Sequence, residues 1–407
     1  MYRKIAAAIA ACALTVTFAA CGGDDAGSEA ASGGGSGSEE GAGLKAETMK
    51  LGFPAGLTGF VAFFDNQILN GMKIAVDEIN ARGGIDGKVK LDLQARDAKG
   101  ETPQALTLGQ QLVDSGAKVL FSMCNSDTQL AMASLAQRTS TVALSGCNGD
   151  PGIGSKFPNY WGVGLSSNVT MAAGAQYASQ QGYKTYYMLG SEDLAYNRNQ
   201  QRFFDEAATE LGLKKVGSDT FHNGATDFAP QIARIRSADP QPDAIFSSSF
   251  VPDTGTFLKQ LRAAGSKVPY IGGDGADSAL LTKIGRSGAE GSVFPTHAFP
   301  QPGSPVEDFY AKYDERFGER PDSAFAGVGY NEIKLVEAAV LKARSTDAKA
   351  MAQAINDGIT ISPPLSLWEI EFPKGQHWPV YQVPVVEVAD GAFRRAAYFE
   401  PKFIPQP

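Results

Sequence analysis

The sequence predicts an α/β protein of two doubly wound, parallel-sheet lobes, and three observations carry that expectation. Apolar periodicity switches repeatedly between two and 3.6 residues, the signature of alternating strands and helices. The alternation runs through the first half of the chain and then restarts downstream, so two sheets with helices on both faces are expected. Of the 407 residues, about 360 remain once the amino-terminal segment is set aside, too many for a single compact core.

The first run opens with Ile68, Met72, Val76 and Ile79 at helical spacing, and Gly83-Gly84 stop that helix. Val89, Leu91 and Leu93 alternate with Lys90, Asp92 and Gln94 as a half-buried strand. Thr102 and Pro103 supply an N-cap and a first-turn proline for a helix running to Gly116. A strand over Val119–Ser122, a helix over about Asp127–Arg138 and a strand over Thr141–Ser145 follow. The second run reads as a strand at Lys184–Gly190, a helix at Arg198–Leu211 ended by Gly212, and a helix opened by Asp227. It continues with a buried strand at Asp243–Ser249, a helix capped by Asp253 or Thr254 and ended by Gly265, and a strand at Val268–Ile271. The last third carries helices over Pro305–Phe317 and Ala324–Lys342, then strands near Leu367–Phe372 and Tyr381–Val388.

Ahead of the body, Tyr2, Arg3 and Lys4 precede an apolar run from Ile5 to Ala20. That run is too short for a membrane span and suits the core of a signal peptide, residues 1–20. Phe18-Ala19-Ala20-Cys21 resembles a bacterial lipobox, in which the cysteine is lipidated and becomes the first mature residue. Phe18 stands where such motifs usually have Leu. An ordinary secretory signal cut nearby, with Cys21 incidental, is the alternative. Gly22 to Gly43 is almost wholly Gly, Ser, Ala, Asp and Glu. Such a stretch cannot bury enough apolar surface to order itself, so residues 21–46 are expected to be a tether reaching on the order of 25 Å. No later segment is long and apolar enough to cross a bilayer. The expectation is an exported body, lipid-anchored to the bacterial cell membrane.

A net charge of −8 argues against nucleic acid as a partner, since nucleic acid selects basic surfaces. With Cys12 in the signal and Cys21 lipidated, Cys124 and Cys147 remain, and an even pair in an oxidising compartment predicts a disulfide. Two buried thiols or a metal site are the competing readings. The three histidines, His222, His297 and His377, give no ligand spacing near either cysteine, so no metal is expected.

In open α/β sheets, ligands bind beyond the carboxyl ends of the strands. Those positions hold Met123-Cys124-Asn125-Ser126, Gly146 to Pro151, Ser191-Glu192-Asp193 with Tyr196, Phe250, and Gly272-Gly273-Asp274-Gly275. Amides, small residues, single aromatics and one carboxylate at one edge are the make-up of a cleft for a small polar ligand. Both cysteines fall there too. If their strands are neighbours, a bridge is within reach and would pin two cleft loops.

Enzyme motifs are not evident. Gly162-Val-Gly-Leu-Ser-Ser167 lacks the third glycine of a dinucleotide fingerprint, and there is no phosphate-binding GxxxxGK[ST], no GxSxG and no HExxH. The histidines all read as lying away from the cleft loops, which leaves acid–base chemistry without a centre. No cofactor is expected.

Several stretches resemble the solute-binding proteins of ABC importers, of the leucine/isoleucine/valine-binding type. They are Ile74-Ala-Val-Asp-Glu-Ile-Asn-Ala-Arg-Gly-Gly-Ile85, Cys124-Asn-Ser-Asp-Thr-Gln129, Leu144-Ser-Gly-Cys-Asn-Gly-Asp-Pro151 and Gly327-Val-Gly-Tyr-Asn-Glu-Ile333. The resemblance extends from about Met49 to Ala397. It implies the type I periplasmic-binding fold, with lobe I from residues 47–165 and 298–373, and lobe II from 166–297 and 374–407. Hinge strands would cross near Trp161–Ser167, Thr296–Phe299 and Phe372–Gly375. It also implies a monomer that captures a small amino-acid-like solute and delivers it to an ABC permease and its ATPase.

Carried over residue by residue, the resemblance places Asn125, with Ser126 beside it, where a hydroxyl residue usually holds the ligand carboxylate. Cys147, Asn148 and Gly149 fall in the second ligand loop, where a threonine hydroxyl is often found. Asp274 takes the place of the acid that pairs with the ligand ammonium, one methylene shorter than Glu. Phe64, Tyr196 and Phe250 correspond to the aromatic walls, two of which are more usually Tyr, so a more apolar pocket follows. Bland roles compete: Asp274 as a turn former, Asn125 as a helix cap, Phe64 and Phe250 as core, Tyr196 as a packing residue. A urea-like amide or an aromatic acid is the runner-up ligand, and sensing rather than transport the runner-up role.

Overall fold

The computed structural model describes residues 43–361, 369–379 and 381–407. The expected signal peptide, Cys21, most of the expected tether, Leu367 and Trp368 lie outside them. Leu44 is already packed into the first core, ahead of the first strand.

The first lobe begins β1 (Glu47–Ala55), α1 (Ala62–Ala81), β2 (Val89–Asp97), α2 (Thr102–Asp114) and β3 (Val119–Phe121). It continues α3 (Ser126–Thr139), β4 (Val142–Ser145), α4 (Gly152–Lys156) and β5 (Tyr160–Gly162). Its five strands run β2-β1-β3-β4-β5, all parallel. Parallel strands need a crossover on each return, and α1 to α4 supply them. The central strands are buried along their whole length because helices cover both faces, as in Val119–Phe121 and Val142–Ser145.

The second lobe contains α5 (Ser167–Gln180), β6 (Thr185–Ser191), α6 (Ala195–Glu210), β7 (Lys214–Phe221), α7 (Ala229–Arg236) and β8 (Ala244–Ser247). Then come α8 (Val251–Ala263), β9 (Tyr270–Gly272), α9 (Leu280–Gly285) and β10 (Val293–Pro295). The chain returns to the first lobe with α10 (Pro305–Phe317), α11 (Phe325–Ala343), α12 (Ala348–Asn356), β11 (Ile359–Ile361) and β12 (Ile370–Phe372). It ends in the second with β13 (Val383–Ala389) and β14 (Ala392–Phe399). The second sheet runs β14-β13-β10-β9-β8-β6-β7.

That second sheet is not wholly parallel, which corrects the sequence reading. β13 pairs antiparallel with β10, and β14 antiparallel with β13. Tyr381–Val388 reads as a strand from its residues, but strand direction is set by where the chain re-enters the sheet. Asp390-Gly391, both at positive φ, form the tight turn between the two. Two helix starts also shift. Glu101, not Thr102, is the N-cap of α2. Phe250 is the N-cap of α8, leaving Asp253 inside the first turn, where its carboxylate accepts the Gly224 N–H at 2.9 Å.

The separated parts of the first lobe are joined where α1 and α11 cross. A Cβ on Gly71 would lie 1.8 Å from the Ala326 carbonyl oxygen, and one on Gly329 would lie 2.0 Å from that of Ile68. The two helices therefore touch backbone to backbone, an approach only glycine permits.

Replacing Gly71 with Ala should push α1 and α11 apart and cost about 3 kcal/mol or more, read as a fall in the urea midpoint. An unchanged midpoint would show that the crossing tolerates separation. The Cys124→Ser/Cys147→Ser double variant, opening a loop of 23 residues, should lose about 3 kcal/mol in the same measurement.

Candidate ligand-binding site

Parallel pairing brings the loops that follow β3 and β4 together at one edge of the first sheet. Cys124 and Cys147 sit there, joined by a disulfide with 5.1 Å between Cα atoms. Beneath them lies Asp65 of α1, fully buried. Its Oδ2 accepts the Gly56 N–H at 2.7 Å and its Oδ1 accepts the Cys124 N–H at 2.9 Å. One carboxyl group thus ties the loop after β1 to the loop after β3. Burial pushes it up to about 7, against the pull of the two N–H donors. Glu332 of α11 lies close by, within 3.1 Å of where a Cβ on Gly146 would stand. Burial first, and then the charge of Asp65, raise it well above the usual carboxyl range.

A cavity of about 20 Å³, room for roughly one water, opens between this edge and the strand ends of the second lobe. Phe64, Cys124, Asn125, Ser126, Gln129, Cys147, Asn148, Gly149, Tyr196, Phe250, Asp274 and Phe325 line it. All nine residues singled out from the sequence come together here. Asn125 both caps α3 and faces the cavity. Its Oδ1 accepts the Asp127 N–H at 2.9 Å, so the amide's donor end is what it can offer a ligand. The Ser126 hydroxyl and both ends of the Asn148 amide are buried without a hydrogen-bond partner among the described residues. Gly149 leaves room at this wall: a Cβ would stand 2.9 Å from Ser126 Oγ and 3.0 Å from the Tyr196 ring.

Asp274 forms the opposite wall, 6% exposed. The Tyr196 hydroxyl donates to its Oδ1 at 2.8 Å and accepts the Gly275 N–H at 2.9 Å. Gln200 Nε2 donates to the same oxygen. Burial and the neighbouring Asp274 charge hold the Tyr196 phenol well above its ordinary range, so it stays a donor. Phe250 stacks on Tyr196, ring centroids 5.0 Å apart, and meets Phe64 edge-on at 5.9 Å and Phe60 at 6.2 Å. Phe64 and Phe250 also belong to the first hydrophobic core, so their packing and lining roles coincide. Aromatic contacts from both lobes and a hydrogen bond from Asn199 Nδ2 to the Gly149 carbonyl at 3.2 Å bring the walls together.

Two lining residues go beyond the sequence reading. Gln129 stands one turn after Ser126 on α3, inside a stretch quoted for its resemblance, and helical spacing alone could have placed it. Phe325 opens α11 and carries no local signal. One reading is corrected. His297 does not lie away from the cleft: its Nε2 stands 3.4 Å from Asp274 Oδ2, with the ring buried. The crossing strand after β10 passes directly behind the loop after β9, a proximity that only the sheet order creates. His222 is exposed beside Asp193, and His377 stacks on Trp161. Among the described residues no cluster of His, Cys, Asp or Glu suits a metal ion.

Two α/β lobes with a polar, aromatic-walled cavity at facing strand ends form the architecture of a solute-binding protein. The model of the periplasmic binding protein family matches residues 48–392, and the chain belongs to that family. The Leu/Ile/Val-binding protein BraC3 of Rhizobium johnstonii is 27% identical over 319 residues, covering 76% of this chain and 83% of that protein. Among solved structures, a leucine-binding protein LivK from Thermotoga maritima has a TM-score of 0.79 at 24% identity, covering 87% of this chain and 99% of that one. An ABC-transporter solute-binding protein from Rhodopseudomonas palustris BisB5, in complex with 3,4-dihydroxybenzoic acid, has a TM-score of 0.77 at 25% identity, covering 88% and 99%.

The raised carboxyl of Asp65 has a definite sign. The native form holds a proton between pH about 4 and about 7, where the unfolded carboxyl has lost it, so stability from this group is full at low pH and declines across that window. The decline should total on the order of 4 kcal/mol. Asp65→Asn should remove that slope, read as the difference between the two proteins' urea midpoints from pH 4.5 to 7.5. Parallel curves would place the proton elsewhere.

Proposed function

We propose that this chain is the lipid-anchored, extracytoplasmic solute receptor of an ABC importer, and that its solute is a small amino acid. The observation that carries the reading is the division of the cavity's polar groups. The Ser126 hydroxyl and the Asn148 amide, unpartnered among the described residues, with the donor end of the Asn125 amide, form one wall, and the Asp274 carboxylate faces them from the other lobe. Donors on one side and an anion on the other match the carboxylate and ammonium of a zwitterion. Phe64, Tyr196, Phe250 and Phe325 then surround the side chain.

A ligand touching both walls favours the closed lobes, because only that arrangement satisfies both of its charges. Residues 47–165 and 298–373 would move against residues 166–297 and 374–407, and a monomer suffices for this. The likeness to BraC3 supports an amino acid as solute. Lipidation of Cys21 would hold the receptor close to its permease and ATPase.

A second reading, an aromatic acid, is favoured by one observation. Asp274 already holds Tyr196 and Gln200 on one oxygen, which leaves it less free for an ammonium, and four aromatic rings among the walls would suit a flat ring. The 3,4-dihydroxybenzoic acid complex of the R. palustris relative gives that reading weight.

Thermal-shift titration of the mature chain, unfolded and refolded to strip bound solute, separates the two. A ligand at about 100 times its Kd adds roughly 2.7 kcal/mol. Apolar L-amino acids should raise the midpoint, and Asp274→Asn should weaken them about ten- to hundredfold. A response to 3,4-dihydroxybenzoate alone, unaffected by that substitution, would overturn the amino-acid reading and keep the aromatic one.

A further inference from the structure

His297 lies in the chain crossing after β10, and Leu165 in the crossing between β5 and α5. Within these crossings, which carry the chain between the two lobes, the Leu165 N–H donates to His297 Nδ1 at 3.1 Å. An imidazole nitrogen that accepts a hydrogen bond carries no proton, so the neutral ring bears its proton on Nε2. That nitrogen is buried and stands 3.4 Å from Asp274 Oδ2, close but not aligned for a hydrogen bond. Oδ1 of Asp274 is already occupied by Tyr196 and Gln200. Oδ2 is therefore the oxygen with room for a ligand, and His297 is the side chain that addresses it.

The ring cannot turn freely. Phe325 of α11 meets it edge-on at 4.7 Å, and a Cβ on Gly164 would stand 3.1 Å from its Cε1. A second carboxylate, Asp277, faces the imidazole electrostatically, but its Oδ2 is taken by the Thr296 hydroxyl and the Ala324 N–H. Asp274 and Asp277 are the charged groups facing His297, and Asp274 is the one that also lines the cavity.

We propose that His297 is a positioning residue for ligand capture, held as the Nε2–H tautomer by Leu165 so that it aims the free oxygen of Asp274 at the ligand amine and couples that oxygen to the hinge. This rests on the reading of Asp274 as the ammonium acceptor. Opening the lobes shifts the crossing strands, so the distance between Nε2 and Oδ2 changes with the hinge angle. Recognition of the amine and closure of the lobes thereby become one event.

Two substitutions divide the ring's functions. His297→Asn can keep an acceptor near the place of Nδ1 but cannot reach Asp274. His297→Gln can place a donor near Nε2 but gives up Leu165. Calorimetric titration with L-leucine and with 4-methylpentanoate, the same skeleton without the amine, is the test. His297→Asn should weaken L-leucine about tenfold and 4-methylpentanoate less than twofold. His297→Gln should keep L-leucine within about threefold while lowering the thermal midpoint. Equal loss for both ligands, or no loss in His297→Asn, would overturn the proposal.

A ligand-independent measurement stands beside it. Long-range ¹⁵N–¹H correlation of the ligand-free chain should show His297 protonated at Nε2 alone, and a proton at Nδ1 would overturn the assignment. Should the unsubstituted chain ignore L-leucine and Asp274→Asn alter no ligand, the amine reading of Asp274 fails. The tautomer then decides separately whether His297 is held toward Asp274.

Discussion

Parallel strand pairing is the constraint on which the rest of this structure depends. When strands run in one direction, every loop that follows a strand falls on the same edge of the sheet. β3 and β4 are adjacent and parallel, so Cys124 and Cys147 arrive side by side and Asn125 and Asn148 follow them into one wall. β6, β8 and β9 do the same for Tyr196, Phe250 and Asp274 in the second lobe. The cavity results from two such edges facing each other across the chain crossings.

Holding those edges requires burying groups that prefer water. Asp65 accepts two backbone N–H bonds and still sits in a site that raises it to about 7. Glu332 is fully buried with neither oxygen hydrogen-bonded. The unpartnered atoms of Ser126 and Asn148 lie along the cavity, while others, such as Asn223, Gln231 and Ser292, lie elsewhere in the second lobe. Unsatisfied polarity is costly in a core, and part of that cost is placed here on the cavity wall at Ser126 and Asn148.

Much of this was legible in the sequence because the signals are local. Turn residues ending an apolar run mark strand ends, and strand ends in α/β sheets are where ligands bind, which was enough to bring Asn125, Gly149, Tyr196 and Asp274 forward. The two roles of Asn125 show why local reasoning left it open between cap and site: one end of its amide serves each. What stayed hidden depends on tertiary arrangement. Nothing near Phe325 announces that α11 begins at the cavity, and nothing near His297 tells that its strand passes behind Asp274. The direction of β13 was equally unreadable, because residue pattern specifies a strand but not which way it enters the sheet.

The crossing of α1 and α11 at Gly71 and Gly329 has a bearing on how the chain comes to be folded. The two glycines are more than 250 residues apart in the sequence, so the first lobe is completed only by a contact of very high sequence separation. Contacts of that kind form slowly, because a long stretch of chain must be brought together before they yield any stabilisation. A chain emerging from the ribosome therefore holds an unfinished first core until its last third is available. Cutting the chain before α11 should therefore leave the first core open along the face of α1 that α11 covers.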